Sequence, residues 1–140
     1  MTSPSRRQFL HLLGSGLAFA LVPGVHASAS TSRFPGPGHP DPRPGIDASK
    51  VLTAEQIADH PEAITAFDRV REIPQIVDGI RCHCGCASRE GFYSLLSCYE
   101  SEGMARMCEV CQGEGRLAHR LHHSGKSLTE IREAIDARFG

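Results

Sequence analysis

Three cysteines at alternate positions, Cys82, Cys84 and Cys86, constrain the fold of this chain more than any other feature of its sequence. On a β-strand their sulfur atoms would lie about 6–7 Å apart along one face, too far to share one small ion. On an α-helix, residues two positions apart point about 200° away from each other. Gly85 gives the backbone the freedom to fold back on itself. The run therefore predicts a tight irregular loop that directs two or three sulfur atoms to one point.

A second group of cysteines is the pair Cys108 and Cys111, whose spacing is shared by zinc sites and redox enzymes. Cys98 lies between the two groups, and the loop needs partners from Cys98 or from this pair to complete a coordination shell. Thiolates are both soft ligands and nucleophiles. The candidate metal ligands are Cys82, Cys84, Cys86, Cys98, Cys108 and Cys111, with His83 as an accessory ligand inside the loop.

The first 29 residues have the form of a twin-arginine export signal. Arg6 and Arg7 precede a short apolar stretch, and the small residues that follow predict cleavage after Ala29, with Ala27 as the alternative. The apolar stretch has roughly half of the ~20 residues that a membrane helix needs, so we expect no stable membrane anchor after cleavage. The mature chain is expected outside the cytoplasm, either periplasmic or secreted.

The rest of the chain divides into a Pro/Gly-rich linker, residues 30–51, and a cysteine-rich domain, residues 52–140. Residues 34–46 hold five of the nine prolines, and they can form neither a helix nor a central strand. We expect this segment to be an extended spacer. Nothing nearby in the sequence would hold His39, so this side chain is expected to be solvated.

The domain has helical patterns throughout, and we predict a small, mostly α fold with an irregular CxCGC loop. Apolar residues recur at helical spacing over 63–70, and Pro74 begins another helical turn. Capping boxes at Thr53 and Ser127 predict two further helix starts. Short and long helices are predicted over 91–98 and 104–123.

The orientation of the long helix matters for the cysteines. If it is continuous from residue 104 to 123, Cys108 and Cys111 share a band with His119 and His122, facing away from the apolar stripe. We expect His119, His122 and His123 to be solvated.

Charge excludes one broad class of function. The formal net charge is -1, and no basic stripe interleaved with aromatic residues occurs along the chain, so we expect no nucleic-acid partner. No Ser-His-Asp order, phosphate loop or paired-carboxylate site stands out, so hydrolase and kinase activities have no support.

Residues 80–140 resemble the exported bacterial proteins named for a PCYCGC motif. The likeness lies in the loop 82–86, the segment Ser94–Cys98, the pair Cys108 and Cys111, and the ending from Gly125 to Asp136. It implies a compact extracytoplasmic domain whose six cysteines form a metal-related site, without a defined activity. Arg81 and His83 replace the proline and tyrosine of the motif. Many members are lipoproteins, but no cysteine follows this signal, so a soluble form is expected.

These observations favour an extracytoplasmic protein that holds Cu(I) or zinc with cysteine thiolates and is not an enzyme. Export by the twin-arginine route, which carries folded proteins, favours a metal taken up before export. Two alternatives stay open: a thiol-disulfide redox protein, and a non-enzymatic binding module stabilised by disulfides.

Overall fold

The structure, a computed structural model, describes residues 38–140, so the predicted signal peptide and the first part of the linker lie outside the described residues. Within this range the domain has four α-helices: α1 (Ile64–Glu72), α2 (Pro74–Asp78), α3 (Glu109–His123) and α4 (Leu128–Phe139). Three 3₁₀ turns lie between α2 and α3: Cys86–Ser88, Leu95–Tyr99 and Met104–Arg106.

β-Structure within residues 38–140 is limited to one isolated antiparallel bridge, between Val51 and Glu100. The prediction of a small, mostly α, cysteine-rich domain is confirmed. None of the helices in this part of the chain combines the length and apolar character that crossing a bilayer requires.

The predicted local signals define several helix ends. Pro74 is the first residue of α2, where its missing N–H is not needed. At α4, the Ser127 hydroxyl accepts from the Glu130 amide and the Glu130 carboxylate accepts from the Ser127 amide, which is the predicted capping box. After α3, Gly125 has a φ of 81°, and its amide and that of Lys126 donate to the last carbonyls of the helix.

Three predicted helices differ from the structure. Thr53 and Gln56 exchange their reciprocal hydrogen bonds, but Pro61 follows too soon and the segment forms only turns. The segment 91–98 contains a 3₁₀ turn that begins only at Leu95. The long helix begins at Glu109 rather than at residue 104, because Cys108 has an extended backbone that separates α3 from the preceding 3₁₀ turn.

The core lies around the middle of α3, which packs against α1 on one side and α4 on another. Phe67 of α1 meets Tyr99 edge to face, with ring centroids 4.7 Å apart. The Tyr99 hydroxyl donates to the carbonyl of Cys111 at 2.7 Å. A side chain on Gly115 of α3 would collide with that hydroxyl and with Val70, so glycine permits the close approach of α1 and Tyr99 to α3.

Residues 38–51, which we call the N-terminal segment, lie against the domain instead of extending away from it. The prolines keep this segment out of any helix, so its carbonyl groups are accessible. Side chains of the domain donate hydrogen bonds to them. The Tyr93 hydroxyl donates to the Asp41 carbonyl at 2.6 Å, and Arg132 donates to the Pro40 carbonyl at 2.7 Å. The expectation of an extended spacer is wrong for this part of the predicted linker.

Arg43 attaches the N-terminal segment to the end of α2. Its guanidinium and its amide donate to Asp78, a fully buried carboxylate that also accepts from the Ser94 hydroxyl. Burial would raise the pKa of Asp78, but the hydrogen bonds from Arg43 and Ser94 outweigh it and hold this pKa below its usual range. Asp78 is therefore ionised at neutral pH and joins three segments of the chain.

Replacing Asp78 with alanine is expected to lower the free energy of unfolding by about 2–4 kcal/mol, because several charge-assisted hydrogen bonds are lost together. D68A removes an exposed carboxylate that pairs with Arg71 in α1, and it should change stability by less than about 1 kcal/mol. Urea denaturation at pH 7 measures both changes.

Measuring the stability of the wild type and of D78A at acid pH provides a second test. The contribution of Asp78 is present above its unfolded pKa of about 3.9 and is lost as the pH falls through the lower folded value. The difference in the free energy of unfolding between the wild type and D78A should therefore become smaller below about pH 4. A D78A variant as stable as D68A at pH 7 would contradict this assignment.

Candidate metal centre

Three sulfur atoms from two distant parts of the chain form a triangle. The Sγ atoms of Cys82 and Cys84 are 3.2 Å apart, and each lies 3.4 Å from the Sγ of Cys111. Cys82 and Cys111 are buried, whereas Cys84 is partly exposed. These three cysteines could hold a metal ion, and the cluster opens to solvent on the side of Cys84.

Cys82 and Cys84 are brought together by the predicted irregular loop. After the end of α2, the carbonyl of Ile80 accepts from the Leu95 amide at 2.7 Å and fixes the start of the loop. Gly85 has a φ of 88°, a left-handed conformation that side-chain-bearing residues rarely adopt. The chain turns over residues 83–85, and within this loop Cys82 and Cys84 approach each other more closely than any strand would allow.

Cys111 completes the triangle from the first turn of α3. Its side chain is fully buried and shares the inward face of the helix with Glu114, Gly115 and Ala118. The expectation that Cys111 faces away from the packed side of the helix is therefore wrong. Small residues rather than large apolar ones form this part of the buried face, so hydrophobic periodicity placed the stripe incorrectly.

Two further predicted ligands lie next to the triangle. The Sγ atoms of Cys84 and Cys86 are 2.9 Å apart, and Cys86 is buried at the start of a 3₁₀ turn. Cys98 is fully buried, and its thiol contributes to lowering the pKa of Cys84. Cys86 can supply a fourth sulfur donor after a small rotation of its side chain.

Cys108 and His83 are not brought into the triangle. Cys108 is the N-cap residue of α3, and within residues 38–140 no hydrogen bond joins its sulfur to another cysteine. The His83 ring is directed to two carboxylates, so its nitrogen atoms do not belong to the group of sulfur donors. The structure thus gathers Cys82, Cys84 and Cys111 and places these two residues apart.

His83 instead holds the loop against α3 and α4. Its Nδ1 lies 2.6 Å from Oε1 of Glu114, and its Nε2 lies 2.9 Å from Oδ1 of Asp136. The His83 amide also donates to Glu114 at 2.9 Å. Hydrogen bonding to Glu114 raises the pKa of His83 despite burial, as expected for a ring that donates to a carboxylate from each nitrogen.

His39 extends this chain of hydrogen bonds into the N-terminal segment. Its Nδ1 accepts from the Arg81 amide at 3.0 Å, so the proton lies on Nε2, which is 3.0 Å from Asp136. The His39 side chain is only 13% exposed, and the expectation that it is solvated is wrong. The sequence pattern does not identify Glu114 or Asp136 as partners of these histidines, because an isolated acidic residue in a helix carries no signal of a partner elsewhere in the chain.

The thiols influence one another's ionisation strongly. Hydrogen bonds from Cys111, Cys82 and Cys98 hold the pKa of Cys84 far below its usual range. Hydrogen bonding with Cys82 raises the pKa of Cys111, and burial together with the neighbouring Cys84 raises the pKa of Cys86 to about 12. The cluster therefore accommodates one negative charge readily and opposes further ones, which a bound cation would offset.

The dimensions of the triangle suit a small soft cation. Zinc–sulfur bonds of about 2.3 Å in tetrahedral geometry place sulfur atoms roughly 3.8 Å apart. The sulfur atoms need to separate by only about 0.4–0.6 Å from their present 3.2–3.4 Å to reach that spacing. Such a shift is within the reach of small side-chain rotations in a loop with one partly exposed cysteine.

No protein-family model, curated protein or solved structure matches this chain. The likeness to PCYCGC-motif proteins stays a hypothesis that rests on the motif residues alone. The geometry of the site is therefore the basis for inferring function.

Replacing Glu114 with glutamine is expected to lower the free energy of unfolding by about 1–3 kcal/mol, because a neutral amide is a weaker acceptor for the two His83 donors. Glu133 lies exposed on α4, and E133Q serves as the matched control with a change below about 0.5 kcal/mol. Chemical denaturation measures both variants. Equal stability of E114Q and E133Q would show that Glu114 does not anchor the loop.

Proposed function

We propose that this protein binds a soft metal ion, Cu(I) or zinc, outside the cytoplasm, with Cys82, Cys84 and Cys111 as its thiolate ligands. The observation that carries the proposal is the triangle of sulfur atoms assembled from the loop and from α3. Three separate disulfide pairs would not require the cysteines to converge. All-sulfur donors suit both ions, and oxygen-preferring cations such as Mg²⁺ and Ca²⁺ are disfavoured.

The exposure of the site supports handling of the ion over permanent burial. Cys84 is the partly exposed member of the triangle, so an incoming thiolate from another molecule can reach the ion on that side. Ligand exchange there would transfer the ion without unfolding the domain. Trigonal coordination would indicate Cu(I), whereas a fourth sulfur from Cys86 would complete a tetrahedral zinc site.

Thiol-disulfide exchange is the second candidate, because the Sγ of Cys84 lies 3.2 Å from that of Cys82 and 2.9 Å from that of Cys86, and its pKa is held far below the usual range by hydrogen bonds from neighbouring thiols. Oxidation of either pair would release two electrons and two protons to a disulfide-bearing partner. A reduction potential in the range of inert structural disulfides, together with tight metal binding, would exclude this function.

The C-x-x-C pair offers a matched test of the metal site. C111S removes a triangle ligand and should weaken binding of Cu(I) or Zn²⁺ by about 100-fold or more in an anaerobic titration of the reduced protein. C108S, at the N-cap position three residues before Cys111, should bind nearly as tightly as the wild type. Because Cys111 is buried, C84S is a second variant at a partly exposed position, and circular dichroism checks that each variant folds.

Metal content provides the complementary measurement. Protein purified from its native compartment should contain about one equivalent of copper or zinc, and X-ray absorption should show sulfur-only ligation. Equal affinity of C111S and C108S, or a metal-free protein that binds neither ion, would contradict the proposal.

Export is supported by the twin-arginine pattern at Arg6 and Arg7. The double variant R6K/R7K is expected to remain in the cytoplasmic fraction of a host that has the twin-arginine pathway. R33K, a change of the same kind beyond the predicted cleavage site, should be exported like the wild type. Fractionation with immunoblotting measures both, and export of R6K/R7K at the wild-type level would contradict the assignment.

A further inference from the structure

A second group of metal-ligating side chains lies at the other end of α3. Nε2 of His119 is 2.7 Å from Oε2 of Glu72, and Nε2 of His123 is 3.3 Å from the same oxygen. The two imidazole rings are one helical turn apart, with centroids separated by 4.3 Å. One carboxylate oxygen and two ring nitrogens therefore converge on a single point at the surface.

The backbone positions of these three residues are fixed by the fold. His119 and His123 are four residues apart on α3 and so lie on one face of the helix. Glu72 is the last residue of α1, which packs along α3. The His119 side chain is only 19% exposed, so packing against α1 restricts its rotation. The expectation that this histidine is solvated is wrong, and little rearrangement is needed to direct the three donors at one ion.

The electrostatic setting favours a cation at this point. Glu72 ends α1, and His119 and His123 lie in the last turns of α3, so the carboxyl ends of two helices meet here. The aligned peptide dipoles of each helix place a partial negative charge at its carboxyl end. A divalent ion would offset the partial negative charge at both helix ends. It would also replace the contacts that now hold two imidazoles against one carboxylate.

We propose that Glu72, His119 and His123 form a second metal site, which takes a borderline divalent cation such as Zn²⁺ or Ni²⁺. Two imidazoles and one carboxylate suit these ions, whereas Cu(I) prefers sulfur. Water would complete the coordination shell because His123 is half-exposed. This site is independent of the sulfur triangle: eight residues of helix separate His119 from Cys111, a distance of about 12 Å along the axis.

The experiment is a calorimetric titration of Zn²⁺ into the reduced protein, with Ni²⁺ as a second probe that discriminates against the sulfur cluster. H119A/H123A should bind one Zn²⁺ fewer per chain than the wild type and should bind Ni²⁺ at least tenfold more weakly. H122A is the matched control, since His122 lies on the same turn but is exposed and does not contact Glu72. It should retain the wild-type stoichiometry.

E72Q tests the contribution of the carboxylate while both imidazole rings remain. Thermal unfolding in the absence of metal checks that each variant folds. C111S should keep the Ni²⁺ site even if it loses the sulfur-bound ion. The absence of metal binding at the sulfur triangle can therefore be distinguished from the absence of metal binding at Glu72, His119 and His123. The proposal is overturned if H119A/H123A binds as many zinc ions as the wild type, or if H122A loses as much affinity as H119A/H123A.

Discussion

The contact between Glu114 and His83 is the interaction on which the arrangement of the cysteines depends. A fully buried carboxylate on α3 accepts from both the amide and the ring of the residue between Cys82 and Cys84. Cys111 lies three residues before Glu114, one helical turn away. The Glu114 carboxylate therefore sets the distance between the loop and α3. The sulfur atoms of the loop and of Cys111 lie close together because His83 and Glu114, their neighbours in the chain, are hydrogen-bonded to each other. A charge buried in this way requires its partner, since an unpaired carboxylate would be strongly destabilised.

Much of the fold could be predicted because its signals are local. The capping box at Ser127, the proline that begins α2 and the glycine after α3 act through residues no more than five positions away, and each occurs as expected. The loop was also predictable, because the spacing of its cysteines is incompatible with both a strand and a helix. Steric and hydrogen-bonding rules of short range suffice for these features.

The pairing of distant residues could not be predicted in the same way. Glu114 is 31 residues from His83, and His39 is 97 residues from Asp136. Nothing in the neighbourhood of either acidic residue distinguishes it from a solvated one. The hydrophobic pattern predicts the wrong face for Cys111 because Gly115 and Ala118 form part of the buried surface there, and these small residues contribute little to such a pattern. The hydrophobicity pattern of α3 therefore does not indicate which face of the helix packs closely against its neighbours.

The long separations around His83 also impose an order on the assembly of the loop during synthesis. The cysteines of the loop leave the ribosome before the residues that hold them, since Glu114 follows His83 by 31 positions and Asp136 by 53. Until α3 and α4 have been made, the thiols of Cys82, Cys84 and Cys86 belong to an unanchored chain and are open to oxidation or to premature capture of an ion. A reducing compartment during translation would protect them, and completion of the last helix would then fix their geometry.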